Sequence, residues 1–261
     1  MKAPIQARLA FAAATIAMAG AAHAQINAEA QATEPGAAPA STFSWNATVH
    51  SDYRYRGISQ TRLQPALQGG ADYVHASGWY VGAWGSTIKF AKDAGGDGEF
   101  EIDVYGGKRG ELAPGMTYDL GVLRYFYPDN NLGRVPGFVS AHTTEVYGQL
   151  GYGPAYVKYS HATTNLFGFV DSENSGYLDI GANIDAGNGV TLQLHAGHQR
   201  VENNSAATYT DWKIGASRAF GPATITLAAI GTNADKSAYA SPANGKFTGK
   251  TALQLTVGAT F

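Results

Sequence analysis

Alternation of apolar and polar positions runs through most of the chain and is clearest in residues 250–261. Leu253, Leu255 and Phe261 share one parity there, whereas Gln254 falls on the other. Because successive side chains of a strand point to opposite faces, this pattern predicts a strand with one apolar and one polar face.

Similar segments recur along the chain, separated by stretches rich in Gly, Pro, Asn and Ser. The Asn188-Gly189 pair is a strong hairpin signal between two of them. About twelve strands are predicted, at residues 43–56, 64–75, 79–90, 99–108, 116–127, 143–152, 155–163, 177–185, 190–199, 209–220, 223–233 and 250–261.

Two segments do not follow the alternation cleanly. In residues 79–90, Val81 and Trp84 have opposite parity, so the facing of that strand stays open. Arg124 lies on the apolar parity of its strand. This requires either a β-bulge or, if the strand crosses a membrane, a position at the membrane surface.

The connections alternate in length along the chain. Short turns follow the even-numbered strands, and longer polar loops follow the odd-numbered ones. An even number of strands with short turns on one side and long loops on the other is typical of bacterial outer-membrane barrels. We therefore expect residues 43–261 to form one all-β, antiparallel up-and-down transmembrane barrel in the bacterial outer membrane, with both termini in the periplasm.

A soluble β-barrel or sandwich has the same alternation, so parity alone does not separate the two. Three features favour the membrane. First, charged and amide side chains occupy the polar face of nearly every strand, while the apolar face is rich in Ala, which is thin for a packed core. Second, the last residue has the apolar parity, and no cap follows that would protect the edge strand of a soluble sheet. Aromatic residues also cluster at predicted strand ends, as an interfacial girdle requires: Phe43, Trp45, Tyr53, Tyr55, Tyr152, Phe220 and Phe261.

The N-terminus has the features of an export signal. Lys2 and Arg8 precede an apolar run, and Ala22-His23-Ala24 is a small-x-small cleavage motif. We expect residues 1–24 to be a signal peptide. Residues 25–42, which are rich in Ala, Gln and Pro, are expected to be a disordered N-terminal segment.

The amino-acid composition excludes several functional classes. Charged residues make up 15% of the chain, cysteine is absent, and the formal net charge is −2. A net charge this close to zero gives no indication of nucleic-acid binding, which needs an excess of basic residues. The absence of cysteine excludes disulfides and thiolate metal sites.

If the apolar parity faces lipid, the polar parity lines a lumen that must be hydrated or densely paired. The predicted lining residues are His50, Asp52, Arg54, Gln68, Asp72, Glu101, Asp103, Glu145, Gln149, Lys158, Asp179, Asn183, Asp185, Gln193, His195, Asp211, Lys213 and Gln254. Twelve strands predict a narrow channel for passive diffusion of small hydrophilic solutes. Acidic lining residues outnumber basic ones, which predicts a weak cation preference.

A plugged barrel with a structural or binding role is the alternative, since the same charges could pair inside a closed lumen. The loop at residues 128–142 could fold inward as a constriction or lie exposed. An adhesin would carry longer loops than these.

A third hypothesis is that the protein is an outer-membrane hydrolase. Ser160 and His161 are adjacent in a strand and therefore face opposite sides, and the G-x-S-x-G elbow does not occur. We expect no enzyme activity and no cofactor.

Metal-site signals are weak. His195 and His198 are three apart on a strand and point to opposite faces. Asp93, Asp97 and Glu99 lack the spacing of a calcium loop, so a solvated hairpin tip is the simpler reading.

Several stretches together resemble the TorF family of porins. They are residues 52–61 (DYRYRGISQT), 64–66 (QPA), 69–73 (GGADY), 78–86 (GWYVGAWGS), 101–107 (EIDVYGG) and 125–128 (YFYP). The resemblance covers essentially the whole predicted mature chain and implies an outer-membrane porin without indicating its solute. Phe261 resembles the terminal aromatic signal that the outer-membrane barrel assembly machinery reads. Outer-membrane lipid, that machinery and small solutes are thus the expected partners.

Overall fold

A closed barrel of twelve strands accounts for most of residues 40–261, the part of the chain that this computed structural model describes. The predicted signal peptide at residues 1–24 and most of the predicted N-terminal segment at residues 25–42 lie outside the described residues. The barrel strands are β1 (Thr42–His50), β4 (Ala66–Val74), β5 (Trp79–Thr87), β6 (Phe100–Ala113), β7 (Met116–Phe126), β8 (Thr143–Tyr152), β9 (Ala155–Ala162), β10 (Gly176–Asp185), β11 (Val190–Arg200), β12 (Tyr209–Phe220), β13 (Ala223–Thr232) and β14 (Ala252–Thr260).

Every barrel strand pairs antiparallel with its neighbours in chain order. The sheet closes where β14 pairs with β1, with Val49 opposite Val257. Closure matters because an open sheet would leave unpaired backbone groups at its edges. The predicted antiparallel up-and-down barrel of about twelve strands is confirmed.

The two ends of the barrel differ. At one end, which we call the turn end, short turns join the strands; at the other, the loop end, the connections are longer. The loop end carries a short ribbon, β2 (Arg54–Tyr55) with β3 (Ile58–Ser59), and three short helices, α1 (Phe90–Asp93) and the 3₁₀ turns Leu132–Arg134 and Ser205–Ala207. The alternation of connection lengths is as predicted.

The helices of the described chain are all too short to cross a membrane.

The apolar parity faces outward on every strand. Its large side chains are exposed around the circumference of the barrel, among them Leu67, Val104, Leu120, Val122, Ile180, Ile214, Leu227 and Leu255. Exposed apolar surface on this scale is unfavourable in water and indicates a hydrocarbon environment. The side chains that would fill a soluble core are therefore on the outside.

The aromatic residues at the strand ends divide into two groups. Phe43, Trp45, Tyr152, Phe220 and Phe261 are exposed near the turn end, with Phe261 70% exposed, as an interfacial girdle requires. The prediction was wrong for Tyr53 and Tyr55, whose side chains are buried at 1% and 7% exposure. The physical reason is that β1 ends at His50, so these residues do not belong to it.

The structure resolves both irregular segments. In β5, Val81 faces outward and Trp84 faces inward, where its ring meets Tyr53 edge-on at 5.7 Å. The strand register is continuous at Arg124, so a bulge does not explain that residue. Arg124 instead lies near the loop end of β7, where it donates to the Thr144 hydroxyl across 2.7 Å, in keeping with a rim position.

Candidate functional site: the lumen and its inserted segment

The connection between β1 and β4 turns inward and occupies the loop-end half of the lumen. We call residues 51–65 the inserted segment. Residues 52–59 are all buried, and the β2–β3 ribbon forms their tip. The loop at residues 128–142, expected either to fold inward or to lie exposed, packs Leu132 and Ala141 against the same buried cluster as the inserted segment.

Gly57 allows the tip to approach the wall. Its φ is +79°, and a Cβ at this position would lie 2.5 Å from Thr232 Cγ2 and 2.7 Å from Asp211 Cβ. Glycine is therefore required both by the backbone conformation and by the lack of space.

Arg56 anchors the inserted segment to the wall. Its Nη2 donates to both carboxylate oxygens of Glu145, at 3.0 and 2.7 Å, and its Nη1 donates to Gln199 Oε1 at 2.6 Å. The guanidinium also lies 4.2 Å from the ring centroid of Tyr177 and 4.8 Å from that of Tyr55. The charge is thus paired, hydrogen-bonded and flanked by rings, as a buried arginine needs to be.

A second ion pair lies within the segment itself. Arg54 Nε donates to Asp52 Oδ2 at 2.5 Å, and the Ser59 hydroxyl donates to Asp52 Oδ1 at 2.5 Å. Arg54 Nη1 further donates to the carbonyls of Gly57, Thr248 and Lys250. Asp52 and Arg54 therefore lie in the lumen, but on the inserted segment rather than on the strand to which the sequence assigned them.

Tyrosines join the segment to the carboxylates of β6 and β8. The Tyr53 and Tyr127 hydroxyls donate to the two oxygens of Glu101, at 3.0 and 3.1 Å. The Tyr125 hydroxyl donates to Glu145 at 3.1 Å and lies 2.8 Å from that of Tyr55.

Asp103 is the exception in this cluster. It is 0% exposed, and neither of its carboxylate oxygens has a hydrogen-bond donor among residues 40–261. A buried polar group without a partner costs stability, so the closed arrangement has a local penalty here.

A separate network links β10, β11 and β12. His195 Nδ1 lies 2.8 Å from Asp179 Oδ1, and its Nε2 lies 2.7 Å from Asp211 Oδ2. The Tyr177 hydroxyl donates to Asp211 at 2.8 Å. Because two carboxylates flank one imidazole, the three strands are held together by charge-assisted hydrogen bonds.

Polar pairing continues toward the turn end along these strands. Lys213 Nζ donates to Gln193 Oε1 at 3.3 Å, and Gln193 Nε2 donates to the Ser217 hydroxyl at 3.3 Å.

The adjoining wall, formed by β8 and β9, is partly accessible to water. Gln149 on β8 and Lys158 on β9 are half-buried, and Lys158 Nζ lies 4.0 Å from the centroid of the Tyr147 ring. The Tyr80 hydroxyl donates to Asp119 Oδ1 at 2.5 Å. The turn-end half of the lumen therefore has a solvent-facing wall with both charge signs.

The strand residues predicted to line the lumen fall into three groups. Buried inward positions are held by Gln68, Asp72, Glu101, Asp103, Glu145, Asp179, Asn183, Gln193, His195, Asp211 and Lys213. His50, Gln149, Lys158 and Gln254 also point inward and are half-buried. Asp185 differs, since it is exposed at the turn end and accepts the Gly187 N–H at 2.8 Å.

Sequence reasoning missed the aromatic part of the lumen. Tyr80, Trp84, Tyr105, Tyr125 and Tyr177 are buried inward residues outside the predicted set. Parity was an available signal, because Tyr105 and Tyr177 lie on the polar face of their strands. Arg56 also lies on the polar parity of the predicted strand at residues 43–56, although it was not among the predicted lining residues.

The connection at residues 127–142 lies over the loop end. Leu132 and Ala141 are buried in the aromatic cluster beneath it, whereas Phe138 is 36% exposed. The Tyr127 N–H donates to His142 Nδ1 at 3.1 Å. Burial, assisted by the nearby Arg124 charge, lowers the pKa of His142, which favours the neutral imidazole needed to accept this bond.

The side chains considered for hydrolysis or metal binding do not form a site. Ser160 is buried inside and His161 faces outward beside Tyr159, so the two do not meet. Within residues 40–261, no group of three His, Asp or Glu side chains could hold a metal ion. Asp93 is paired with Arg62, and Glu99 with Lys92.

Comparison with solved structures finds the same architecture. A structure described as "KdgM porin" aligns with a TM-score of 0.51 and 6% identity, over 85% of this chain and 98% of that one. The "NanC porin structure in rhombohedral crystal form" aligns with a TM-score of 0.50 and 9% identity, over 84% and 99%. At these identities the likeness shows the fold alone.

Sequence comparisons give the family. Comparison with curated proteins finds no match. A family model described as "Bacterial protein of unknown function (Gcw_chp)" matches residues 34–261. The match covers the whole barrel, and the chain therefore belongs to the Gcw_chp family of bacterial proteins of unknown function.

Proposed function

We propose that this protein is an outer-membrane porin, a narrow channel for passive diffusion of small hydrophilic solutes. The observation that carries the proposal is the inverted barrel: Leu120, Ile214 and Leu255 face outward while Glu145, Asp179 and Lys213 face inward. Such a barrel suits a bilayer and surrounds a polar lumen. The resemblance to the TorF family of porins and the folds of the KdgM and NanC porins support the same reading.

The orientation and the assembly route are part of the proposal. Outer-membrane barrels have short turns on the periplasmic side, so the turn end and both strand termini would be periplasmic and the loop end would face outward. Phe261, exposed and aromatic at the turn end, would be the residue read by the barrel assembly machinery.

The inserted segment makes a gated channel the best form of the proposal. It fills the loop-end half of the lumen, while the wall near Gln149 and Lys158 is solvent-facing. Solutes would pass when the segment withdraws or shifts. Acidic side chains predominate in the lining, so a weak cation preference is expected.

A permanently plugged barrel with a structural or binding role is the second candidate. The full burial of Arg56 and its bond to Glu145 favour it, because releasing the segment separates a buried ion pair.

Replacing the inserted segment distinguishes the gated channel from the plugged barrel. His50 and Ala66 are paired neighbours on β1 and β4, so a four-residue Gly-Ser turn can join them in place of residues 51–65. The matched control replaces the exposed residues 243–246, at the same end of the barrel, with Gly and Ser.

Planar-bilayer recording of the purified proteins gives the readout. We expect small, intermittent conductance from the natural chain and the control, and a several-fold larger, steady conductance from the segment replacement. A reversal potential in a KCl gradient should show weak cation preference. Silence of all three proteins would reject the channel; a silent natural chain with a conducting replacement would support the plugged barrel.

A further inference from the structure

A cavity of about 190 Å³ lies at the loop end, above the inserted segment. Tyr55 and Ile58 of the segment form part of its lining, together with rings from other connections, among them Phe90, Phe167 and Tyr239. The exposed Phe138 and Ala238 belong to the same lining, so the cavity opens to the surface.

The rings hold one another in edge-on contact. Phe167 lies 5.4 Å from Tyr55, Phe90 lies 5.3 Å from Tyr127, and Tyr209 lies 5.1 Å from Tyr239, measured between ring centroids. Such packing fixes the ring orientations and leaves a pocket already formed without a ligand.

Most polar side chains of the lining are already engaged in hydrogen bonds. The Gln60 amide donates to Ile58 O, the Gln199 amide to Gly176 O, and the Thr248 hydroxyl to Tyr239 O. The Ser241 hydroxyl donates to Asp93, which also neutralises Arg62. A charged or strongly hydrogen-bonding ligand would have to break these bonds, whereas a ligand that contacts ring faces would not.

Size completes the description of the ligand. An apolar cavity of about 150 Å³ is large enough to bind benzene. A cavity of 190 Å³ therefore accommodates one small ring system.

We propose that this cavity is a binding site for a small, uncharged aromatic molecule that enters from the loop end. Recognition depends on edge and face contacts with the surrounding rings. Because Tyr55 and Ile58 contribute to the lining, the bound molecule touches the inserted segment directly.

Ala238 and Ala243 provide a matched pair of variants. Both are exposed and belong to the same connection, but only Ala238 lines the cavity. Ala238→Trp should fill the cavity without removing an existing contact, and Ala243→Trp adds the same side chain outside it. Ala94→Leu, at another point of the lining, is a second filling variant in case the first misfolds.

Indole is the probe, and its binding is measured by titration calorimetry and ligand-detected NMR of detergent-solubilised protein, without reference to conduction. Saturable binding is expected for the natural chain and Ala243→Trp, at least tenfold weaker binding for the filling variants, and none for the segment replacement. Glucose should not compete. Equal indole uptake by all variants would show partitioning into detergent or the barrel exterior and overturn the proposal, as would tighter binding of glucose.

Discussion

The guanidinium of Arg56 is buried in the lumen between Glu145, Gln199 and the rings of Tyr55 and Tyr177. Its partners come from β8, β10 and β11, so one side chain of the inserted segment contacts three strands of one wall of the barrel. Removing one member of a buried ion pair leaves the other charge uncompensated, at about 3–5 kcal/mol.

Arg56→Met should therefore release the inserted segment. The Ser59 N–H bonds to Thr248 O and the Gln60 N–H to Tyr53 O, so hydrogen exchange at these amides reports on local opening. We expect faster exchange at both amides in Arg56→Met and partial recovery in Arg56→Met/Glu145→Gln. Unchanged protection in the single variant would show that the ion pair does not hold the segment.

Gly57 tests the close approach of the tip to the wall. Gly57→Ala places a Cβ against Thr232 and Asp211, whereas Gly187→Ala, at nearly the same φ of +80°, meets open space among the described residues. The backbone strain is thus similar and only the collision differs. Gly57→Ala should raise channel conductance and Gly187→Ala should not; equal conductance of the two variants would contradict the tight fit.

Asp103 tests the cost of the closed lumen. Asp103→Asn keeps the shape of the side chain and removes its charge. Because an unpaired amide costs less to bury than an unpaired carboxylate, the variant should be more stable than the natural chain. Asp211→Asn is the control, because it weakens existing bonds to His195 and Tyr177 and should be destabilised. Urea unfolding in lipid vesicles measures both, and a destabilised Asp103→Asn would show that the carboxylate has a favourable partner.

At the scale of the strand, parity decides which residues meet lipid. Leu255→Arg places a charge on the outer face, at about 2–4 kcal/mol if the position lies at the bilayer midplane. Thr256→Arg places the same charge on the inner face, next to it in sequence. Vesicle unfolding should show a large loss of stability for the first variant and a small one for the second. The reverse order would invert the assigned faces.

The strands were predictable from sequence for the same reason. A period of two does not depend on distant contacts, so residues 250–261 and the hairpin around Asn188-Gly189 could be assigned directly. Trp84 could not, because its inward position depends on packing against Tyr53.

The inserted segment shows where local pattern stops being informative. Alternation continues from Phe43 through Tyr55, which predicts one long strand. The chain nevertheless leaves the sheet after His50, and long-range bonds such as Gln254 to the Asp52 carbonyl and Arg54 to the Thr248 carbonyl hold it inside. These partners are about 200 residues away in sequence, so the inward turn has no local signature.

At the scale of the whole molecule, the fold is a barrel with its apolar side outward, filled at one end by its own first connection. The barrel explains the low charge content and the regular alternation of the sequence. The filled end explains why Arg56, Tyr53 and Tyr55 are buried in a protein whose apolar side chains are otherwise largely external. Together they support the proposal of a channel that is closed at rest.

Single-cysteine spin labelling tests this account most directly, because the natural chain contains no cysteine. Labels at residues 253 to 257, one per variant, are examined in lipid vesicles for collision with oxygen, which concentrates in lipid, and with a water-soluble nickel chelate. Oxygen accessibility should be high at 253, 255 and 257 and low at 254 and 256, with nickel accessibility showing the opposite order or remaining low where the lumen is closed. High nickel accessibility at 253, 255 and 257, or the lack of any alternation, would contradict a barrel whose apolar face lies in the membrane.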